Sequence, residues 1–133
     1  MAMNPPPTIL IIEDEKSLRE ALAEKLKHEG YATLEAVDGE EGLTAALDNT
    51  PALILLDILM PKKDGLAMLK ELRAANDYGK KVPVIILTNL SADNEKTVSS
   101  VLETEPSYYL VKADWKIQEV VDTVKEHLRE HAV

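Results

Sequence analysis

Five polar residues stand directly after short apolar runs and could do chemistry together. Glu13 and Asp14 follow the first run, and Asp57 follows a later one. Thr88 and Lys112 follow the last two runs. If the runs are parallel strands of one sheet, their carboxyl ends meet at one edge. Three carboxylates, one hydroxyl and one ammonium would then converge there.

The predicted convergence of carboxylates indicates a cation site. Carboxylates packed together repel one another unless a cation neutralises them. Mg²⁺ suits this set, because it is a hard ion that takes oxygen ligands and usually keeps several waters. Lys112 would place a second positive charge on the other side of Asp57. Such an arrangement stabilises the negative charge on an incoming phosphoryl group. This stabilisation is a large part of how proteins catalyse phosphoryl transfer.

The apolar runs themselves are typical of buried strands. Runs of four residues are too short for helices, and without polar alternation they favour strands that are covered on both faces. These runs occupy residues 9–12, 53–56, 84–87 and 108–111. A fifth candidate at 31–37 contains Thr33 and Glu35, which favours a more exposed edge strand.

Segments with helical spacing lie between the strands. Leu18, Leu22 and Leu26 recur every four residues, and Gly30 is expected to end that helix. Similar apolar spacings predict helices near 66–72 and 117–128, and weaker ones predict helices near 40–47 and 92–102. The alternation of strands and helices predicts an α/β, doubly wound parallel sheet. We expect one domain over residues 8–130, with a flexible lead at 1–7 and a tail at 131–133.

The composition narrows the class of protein. The 15 basic and 24 acidic residues give a formal charge of −9, and because this charge repels phosphate backbones we expect no direct nucleic-acid partner. The chain has no cysteine, which excludes thiolate chemistry and fits the reducing cytoplasm. No leader peptide or membrane span is visible, so we expect a soluble cytoplasmic protein. His28, His127 and His131 are expected on polar helical surfaces, without a metal or phosphorelay role.

From about residue 8 to 128 the sequence resembles the receiver domains of two-component response regulators. The resemblance rests on ILIIED at 9–14, AVDG at 36–39, DILMP at 57–61, DGL at 64–66, Thr88, and YLVK at 109–112. It implies a flavodoxin-like sheet of five parallel strands in the order 2-1-3-4-5, with five helices.

The resemblance also implies how the acidic residues act. Asp57 would be the phosphoacceptor. Asp14, Asp57 and the backbone carbonyl of Leu59 would bind Mg²⁺ directly, and Glu13 would act mainly through a coordinated water.

A switch is implied by the same resemblance. Lys112 would pair with phosphoryl oxygens, Thr88 would turn its hydroxyl toward the attached phosphoryl group, and the rotamer of Tyr109 would follow Thr88. A sensor histidine kinase would donate the phosphoryl group. A downstream protein would bind the face formed by the predicted fourth helix, the fifth strand and the fifth helix. The protein would be no enzyme beyond catalysing its own phosphorylation and dephosphorylation.

The sequence departs from the family pattern near the phosphoacceptor. Ala113 follows Lys112 where most receivers have proline, so we expect a trans peptide bond there. Asn89 stands where a small residue is usual. Leu59 and Leu90 are apolar at positions that are often polar, which predicts a long-lived phosphorylated state.

Three other functions fit the residues less well. A haloacid-dehalogenase-type phosphohydrolase would need an aspartate two residues after the nucleophile, and Leu59 stands there. A flavodoxin-like cofactor carrier would need a glycine- and hydroxyl-rich phosphate loop after the first strand, where this chain has Glu13, Asp14 and Glu15. A constitutive pseudo-receiver is disfavoured because Asp57, Thr88 and Lys112 are all present.

Overall fold

The computed structural model describes residues 5–57, 65–88, 108–111 and 116–131. Within them, five strands form one sheet: β1 (Thr8–Ile12), β2 (Ala32–Ala36), β3 (Leu53–Asp57), β4 (Val84–Thr88) and β5 (Tyr108–Val111). The strand order is β2-β1-β3-β4-β5, and every neighbouring pair is parallel. The predicted parallel sheet and its strand order are confirmed.

The described helices agree with the sequence in four cases and differ in one. They are α1 (Lys16–His28), α2 (Gly39–Asn49), α3 (Gly65–Ala75), α4 (Asp77–Lys81) and α5 (Ile117–His131). The short α4 was not predicted, because five residues are too few to show an apolar period. The helix predicted near 92–102 lies outside the described residues.

The sheet separates two apolar cores, because successive side chains of a strand point to opposite faces. On one face, Leu10, Ile54 and Ile86 pack with residues of α2 and α3 such as Ala46 and Leu69. On the other face, strand residues pack with α1 and α5: Ile9, Ile11, Leu55 and Ile85 with Leu22, Leu26, Val120 and Val124. The structure therefore has the predicted doubly wound arrangement, with helices on both faces.

Strand position explains the difference between the apolar runs. All five residues of central β3 are buried. Strand β2 pairs only with β1 and is largely half-exposed, with Glu35 exposed. The mixed 31–37 segment is thus the edge strand that its composition predicted. In the part of the chain that the structure describes, none of the helices has the length and hydrophobicity that a membrane span requires.

The end of α1 follows from Gly30, as the sequence predicted. Gly30 has φ of 99°, a left-handed conformation that costs glycine little. Its N–H donates to the carbonyl of Lys27, and the N–H of Tyr31 donates to the carbonyl of Leu26. This pair of hydrogen bonds is a Schellman motif, which satisfies the last carbonyls of the helix and turns the chain into β2.

Helices α1 and α5 are also joined by an ion pair. The Lys125 ammonium lies 2.6 Å from a Glu29 carboxylate oxygen. The hydrogen bond between them lowers the pKa of Glu29 and raises the pKa of Lys125. Both side chains are partly exposed, so solvent screening keeps the contribution of this pair small.

His127 corrects one expectation from the sequence. It is buried, with a ring nitrogen 2.9 Å from the carbonyl of Thr123 one turn earlier in α5, rather than on a polar surface.

The unpredicted α4 is held by specific contacts. The Asn76 side chain accepts a hydrogen bond from the N–H of Gly79 and caps the helix. Arg73 of α3 donates to the carbonyls of Gly79 and Val82. The Tyr78 hydroxyl donates to the Pro51 carbonyl, and burial raises the Tyr78 pKa well above its usual value.

Substitution of Gly79 tests this packing. A Cβ atom at Gly79 would overlap the backbone carbonyl oxygen of Leu72, which cannot move without shifting α3. We expect Gly79→Ala to lower the free energy of unfolding by about 1–3 kcal/mol, measured by urea denaturation. Lys80→Ala, at an exposed position of the same helix, should change it by less than about 0.5 kcal/mol. Equal stability of Gly79→Ala and the parent would contradict this packing.

Candidate functional site

The candidate site is built at the carboxyl edge of the sheet, where β1 and β3 end side by side. Ile12 is paired with Leu56, so the next residues, Glu13 and Asp57, fall at adjacent strand ends. Glu13 is 1% exposed and Asp57 is 3% exposed, whereas Asp14 is exposed. One carboxylate oxygen from each of the three residues lies within 4.8 Å of the others. The predicted convergence of Glu13, Asp14 and Asp57 is therefore confirmed.

The backbone that carries Glu13 and Asp14 is fixed by two neighbours. The N–H of Glu13 donates to the carbonyl of Ala36, which extends the pairing of β1 with β2. The guanidinium of Arg19, in the first turns of α1, donates to the carbonyl of Glu13 at 3.0 Å. The loop between β1 and α1 is therefore held on both sides.

The donor set fits a small hard cation. It contains only carboxylate oxygens, two of the residues are buried, and Asp14 lies at the exposed side. Hard divalent ions such as Mg²⁺ prefer oxygen ligands and retain several waters, so a half-open acidic cluster suits them. Three like charges at this separation repel one another, and a divalent cation would convert the repulsion into attraction.

The backbone of β4 and β5 reaches the same edge. Leu87 is paired with Asp57, and Thr88, the next residue, ends β4 opposite Val111 of β5. Tyr109 lies in β5, paired with Ile86. The predicted positions of Thr88 and Tyr109 on these strands are confirmed at the level of the backbone. The other residues named from the sequence lie outside the described residues: Leu59, Asn89, Leu90, Lys112 and Ala113.

Two residues near the site were missed by reasoning from the sequence. Arg19 was not singled out, although a basic residue one turn into the helix after an acidic strand end is a usable signal. Asp38 was named only within the AVDG motif at 36–39, without a role of its own. Its buried side chain caps α2 by accepting a hydrogen bond from the N–H of Glu41 at 2.8 Å. Aspartate is a preferred residue for this role.

Comparison with known proteins assigns the chain and its fold to one family. The family model described as "Response regulator receiver domain" matches residues 9–125. The receiver domain of the Francisella response regulator 1452 superposes with a TM-score of 0.82 at 31% identity, covering 93% of this chain and 98% of that one. The chain belongs to the receiver-domain family of two-component response regulators, whose domains are phosphorylation-controlled switches.

Two further relatives show the range of the family. The transcriptional regulatory protein CpxR of Klebsiella pneumoniae is 38% identical over 121 residues, 91% of this chain and 49% of that protein. The BeF3-activated receiver domain of Klebsiella pneumoniae RstA has a TM-score of 0.79 at 26% identity, covering 92% of this chain and 98% of that one. The chain spans about half the length of the curated relatives that it matches, as with the 49% of CpxR.

The relatives contradict one expectation from the sequence. We expected no direct nucleic-acid partner because of the charge of −9, but the relatives are named transcriptional regulators. That expectation was wrong. Net charge describes the field of the segment to which it belongs, and it does not decide what a regulator of about twice this length binds.

The stability of the metal-free protein tests the repulsion between the carboxylates. We expect Asp57→Asn, measured by urea denaturation in chelator, to raise the free energy of unfolding by about 1–2 kcal/mol. Asp57 forms two of the three pairs, and at an effective dielectric of about 20 each pair of charges about 5 Å apart repels by roughly 3 kcal/mol. Solvent at the Asp14 side and the other interactions of Asp57 reduce the net effect to the smaller value that we expect.

The matched control is Glu24→Gln, which neutralises an exposed carboxylate on α1 and should change stability by less than about 0.5 kcal/mol. A loss of stability in Asp57→Asn would mean that the carboxylate is stabilised in the metal-free protein, against this account.

Proposed function

We propose that this domain accepts a phosphoryl group on Asp57, with Mg²⁺ bound by the neighbouring acidic residues, and that phosphorylation changes its affinity for a partner. The observation that carries the proposal is the cluster of Glu13, Asp14 and Asp57, whose carboxylate oxygens lie within 4.8 Å of one another at the strand ends. Membership of the receiver family supports a regulatory role over a phosphohydrolase.

In the proposed reaction, a carboxylate oxygen of Asp57 forms a bond to phosphorus. The bond from phosphorus to the donor breaks, and the leaving group departs with the electron pair. Asp14, Asp57 and the Leu59 carbonyl would hold Mg²⁺, and Glu13 would act mainly through a coordinated water. The ion would supply positive charge for the phosphoryl oxygens. Lys112 would pair with the same oxygens. The domain would catalyse only its own phosphorylation and dephosphorylation.

The proposed switch runs through the strands next to Asp57. Thr88 ends the adjacent strand β4, and Tyr109 lies on β5 beyond it. The Thr88 hydroxyl would bond the phosphoryl group, and Tyr109 would change rotamer with it, altering the face built from residues 92–102, β5 and α5. A similar receiver is described as BeF3-activated. A phosphate that interacts differently with two states shifts their populations.

The same proposal includes the cellular setting. A sensor histidine kinase would be the phosphodonor, acting in the cytoplasm, which fits the absence of cysteine from the sequence. The receiver unit would comprise residues 8–130, with residues 1–7 and 131–133 as flexible ends.

Labelling with a small phosphodonor tests the proposal. After incubation with acetyl phosphate and Mg²⁺, intact mass spectrometry should show one added phosphoryl group per chain, because Asp57 is the one proposed acceptor. Chelation of Mg²⁺ should abolish labelling, since the acidic residues alone repel the incoming phosphate.

Asp57→Asn is the direct variant and Asp48→Asn, an exposed carboxylate on α2, is the matched control. Only the first should lose labelling. Equal labelling of Asp57→Asn and the parent, or labelling that persists in chelator, would refute the assignment.

The lifetime of the phosphorylated state tests the role of two apolar residues. Hydrolysis needs a water placed in line with the phosphorus–oxygen bond, and neither Leu59 nor Leu90 can hydrogen-bond such a water. We expect Leu59→Asn with Leu90→Glu to speed the loss of phosphate by roughly tenfold, a barrier change of about 1.4 kcal/mol. Phosphate loss is followed after removal of the donor. If the parent is as fast as the double variant, these side chains do not set the lifetime.

A further inference from the structure

Arg19 connects α1 to the loop that carries two of the clustered carboxylates. One guanidinium nitrogen donates to the Glu13 carbonyl at 3.0 Å and lies 3.5 Å from the Asp14 carbonyl. Another nitrogen of the same group lies 3.3 Å from a carboxylate oxygen of Glu35 on β2. The Arg19 side chain is only 13% exposed. The group therefore bridges the β1–α1 loop and the edge strand from a largely covered position.

We propose that Arg19 is a positioning residue for the acidic cluster. It would fix the backbone of Glu13 and Asp14 so that their carboxylates can share a cation with Asp57. The inference rests on the proposed function, because it assigns Arg19 a role in Mg²⁺ binding at that site.

The geometry explains how one side chain can do this. The carbonyls of Glu13 and Asp14 belong to consecutive peptide units, and each peptide unit is planar. A donor close to both carbonyls restricts the rotation of both planes, which sets the direction in which the Asp14 side chain leaves the backbone. The bond to Glu13 is the stronger of the two, because 3.5 Å is at the outer limit for a hydrogen bond.

Arg19 is itself held in place at both ends. Its backbone N–H donates to the carbonyl of Glu15, the N-cap of α1, and Glu35 pairs with its guanidinium. Glu15 caps α1 without a side-chain hydrogen bond to the helix. The capping side chain therefore does not fix the start of the helix. The hydrogen bond from Arg19 to the Glu13 carbonyl connects α1 to the loop instead.

The chemistry of the side chain favours arginine here. A guanidinium is planar and offers five N–H donors in a fixed fork, so it can serve two carbonyls on one side and a carboxylate on another. A lysine ammonium is a point charge on a flexible stem. Lysine at this position could keep a single contact with the loop but could not fix both peptide planes and pair with Glu35 together.

The test is a Mg²⁺ titration of Arg19→Met, followed by amide NMR shifts. Loss of a group that orients metal ligands typically weakens metal binding by about 10–100-fold, and we expect about tenfold weaker binding. At saturating Mg²⁺, labelling by acetyl phosphate should return to within about twofold of the parent, because the ligands themselves remain. In metal-free protein, amide exchange of Asp14 and Glu15 should be faster, while β3 amides stay protected.

Three further variants serve as controls. Lys125→Met removes a partly exposed cation from a different ion pair and should leave Mg²⁺ affinity unchanged. Glu35→Gln keeps Arg19 and the loop carbonyls, so it should weaken binding by only about twofold to threefold, less than the loss of a full orienting group. Arg19→Lys should fall between the parent and Arg19→Met.

The outcomes separate this inference from the proposed function. If the parent neither binds Mg²⁺ nor becomes labelled, the proposed function fails. If the parent does both, and Arg19→Met binds Mg²⁺ as tightly with unchanged exchange at Asp14 and Glu15, only the role of Arg19 is refuted. Arg19→Met could fail to fold. In that case, the role of Arg19 is refuted if Arg19→Lys and Glu35→Gln both bind Mg²⁺ as tightly as the parent.

Discussion

Mutual repulsion among three carboxylates is the constraint on which the structure of the site depends. Glu13 and Asp57 are almost fully buried, and their oxygens lie within 4.8 Å of each other and of Asp14. A chain that only had to fold would keep such charges apart, because each pair costs free energy. The parallel register of β1 and β3 forces them together instead. Repulsion among the carboxylates therefore opposes their convergence, and a bound cation would relieve it.

The rest of the fold can be understood as support for this arrangement. Two apolar cores, one on each face of the sheet, hold the central strands. The β1–α1 loop is fixed by Ala36 on one side and by Arg19 on the other. Strand β4 is paired with β3, and Leu87 is the partner of Asp57. Thr88, the next residue, is the last residue of β4. Strand β4 is therefore the direct neighbour of Asp57 on this side of the sheet, and β5 is the next strand.

Much of this could be predicted from the sequence, for identifiable reasons. Uninterrupted apolar runs predicted the central strands, and Thr33 and Glu35 predicted the edge strand, because burial on both faces excludes polar alternation. Because Glu13, Asp14 and Asp57 follow two of these runs, the sequence also predicted that their carboxylates lie close together at one edge of the sheet. Helix α4 could not be predicted, since it depends on contacts of Asn76 and Gly79 instead of an apolar period. The position of Arg19 one turn into α1 is a usable signal, but whether its guanidinium reaches the Glu13 carbonyl depends on the angle at which α1 leaves β1, and the spacing alone does not fix that angle.

The most direct test of the account is to locate the cation itself. A crystal of this domain grown with Mn²⁺, an ion that also favours oxygen ligands, can be measured for anomalous scattering. If the cluster binds a cation, one strong peak will lie among the carboxylates of Glu13, Asp14 and Asp57, with direct bonds from Asp14 and Asp57. A well-ordered crystal at saturating Mn²⁺ with no peak at this edge of the sheet, or with the ion bound elsewhere, would contradict it.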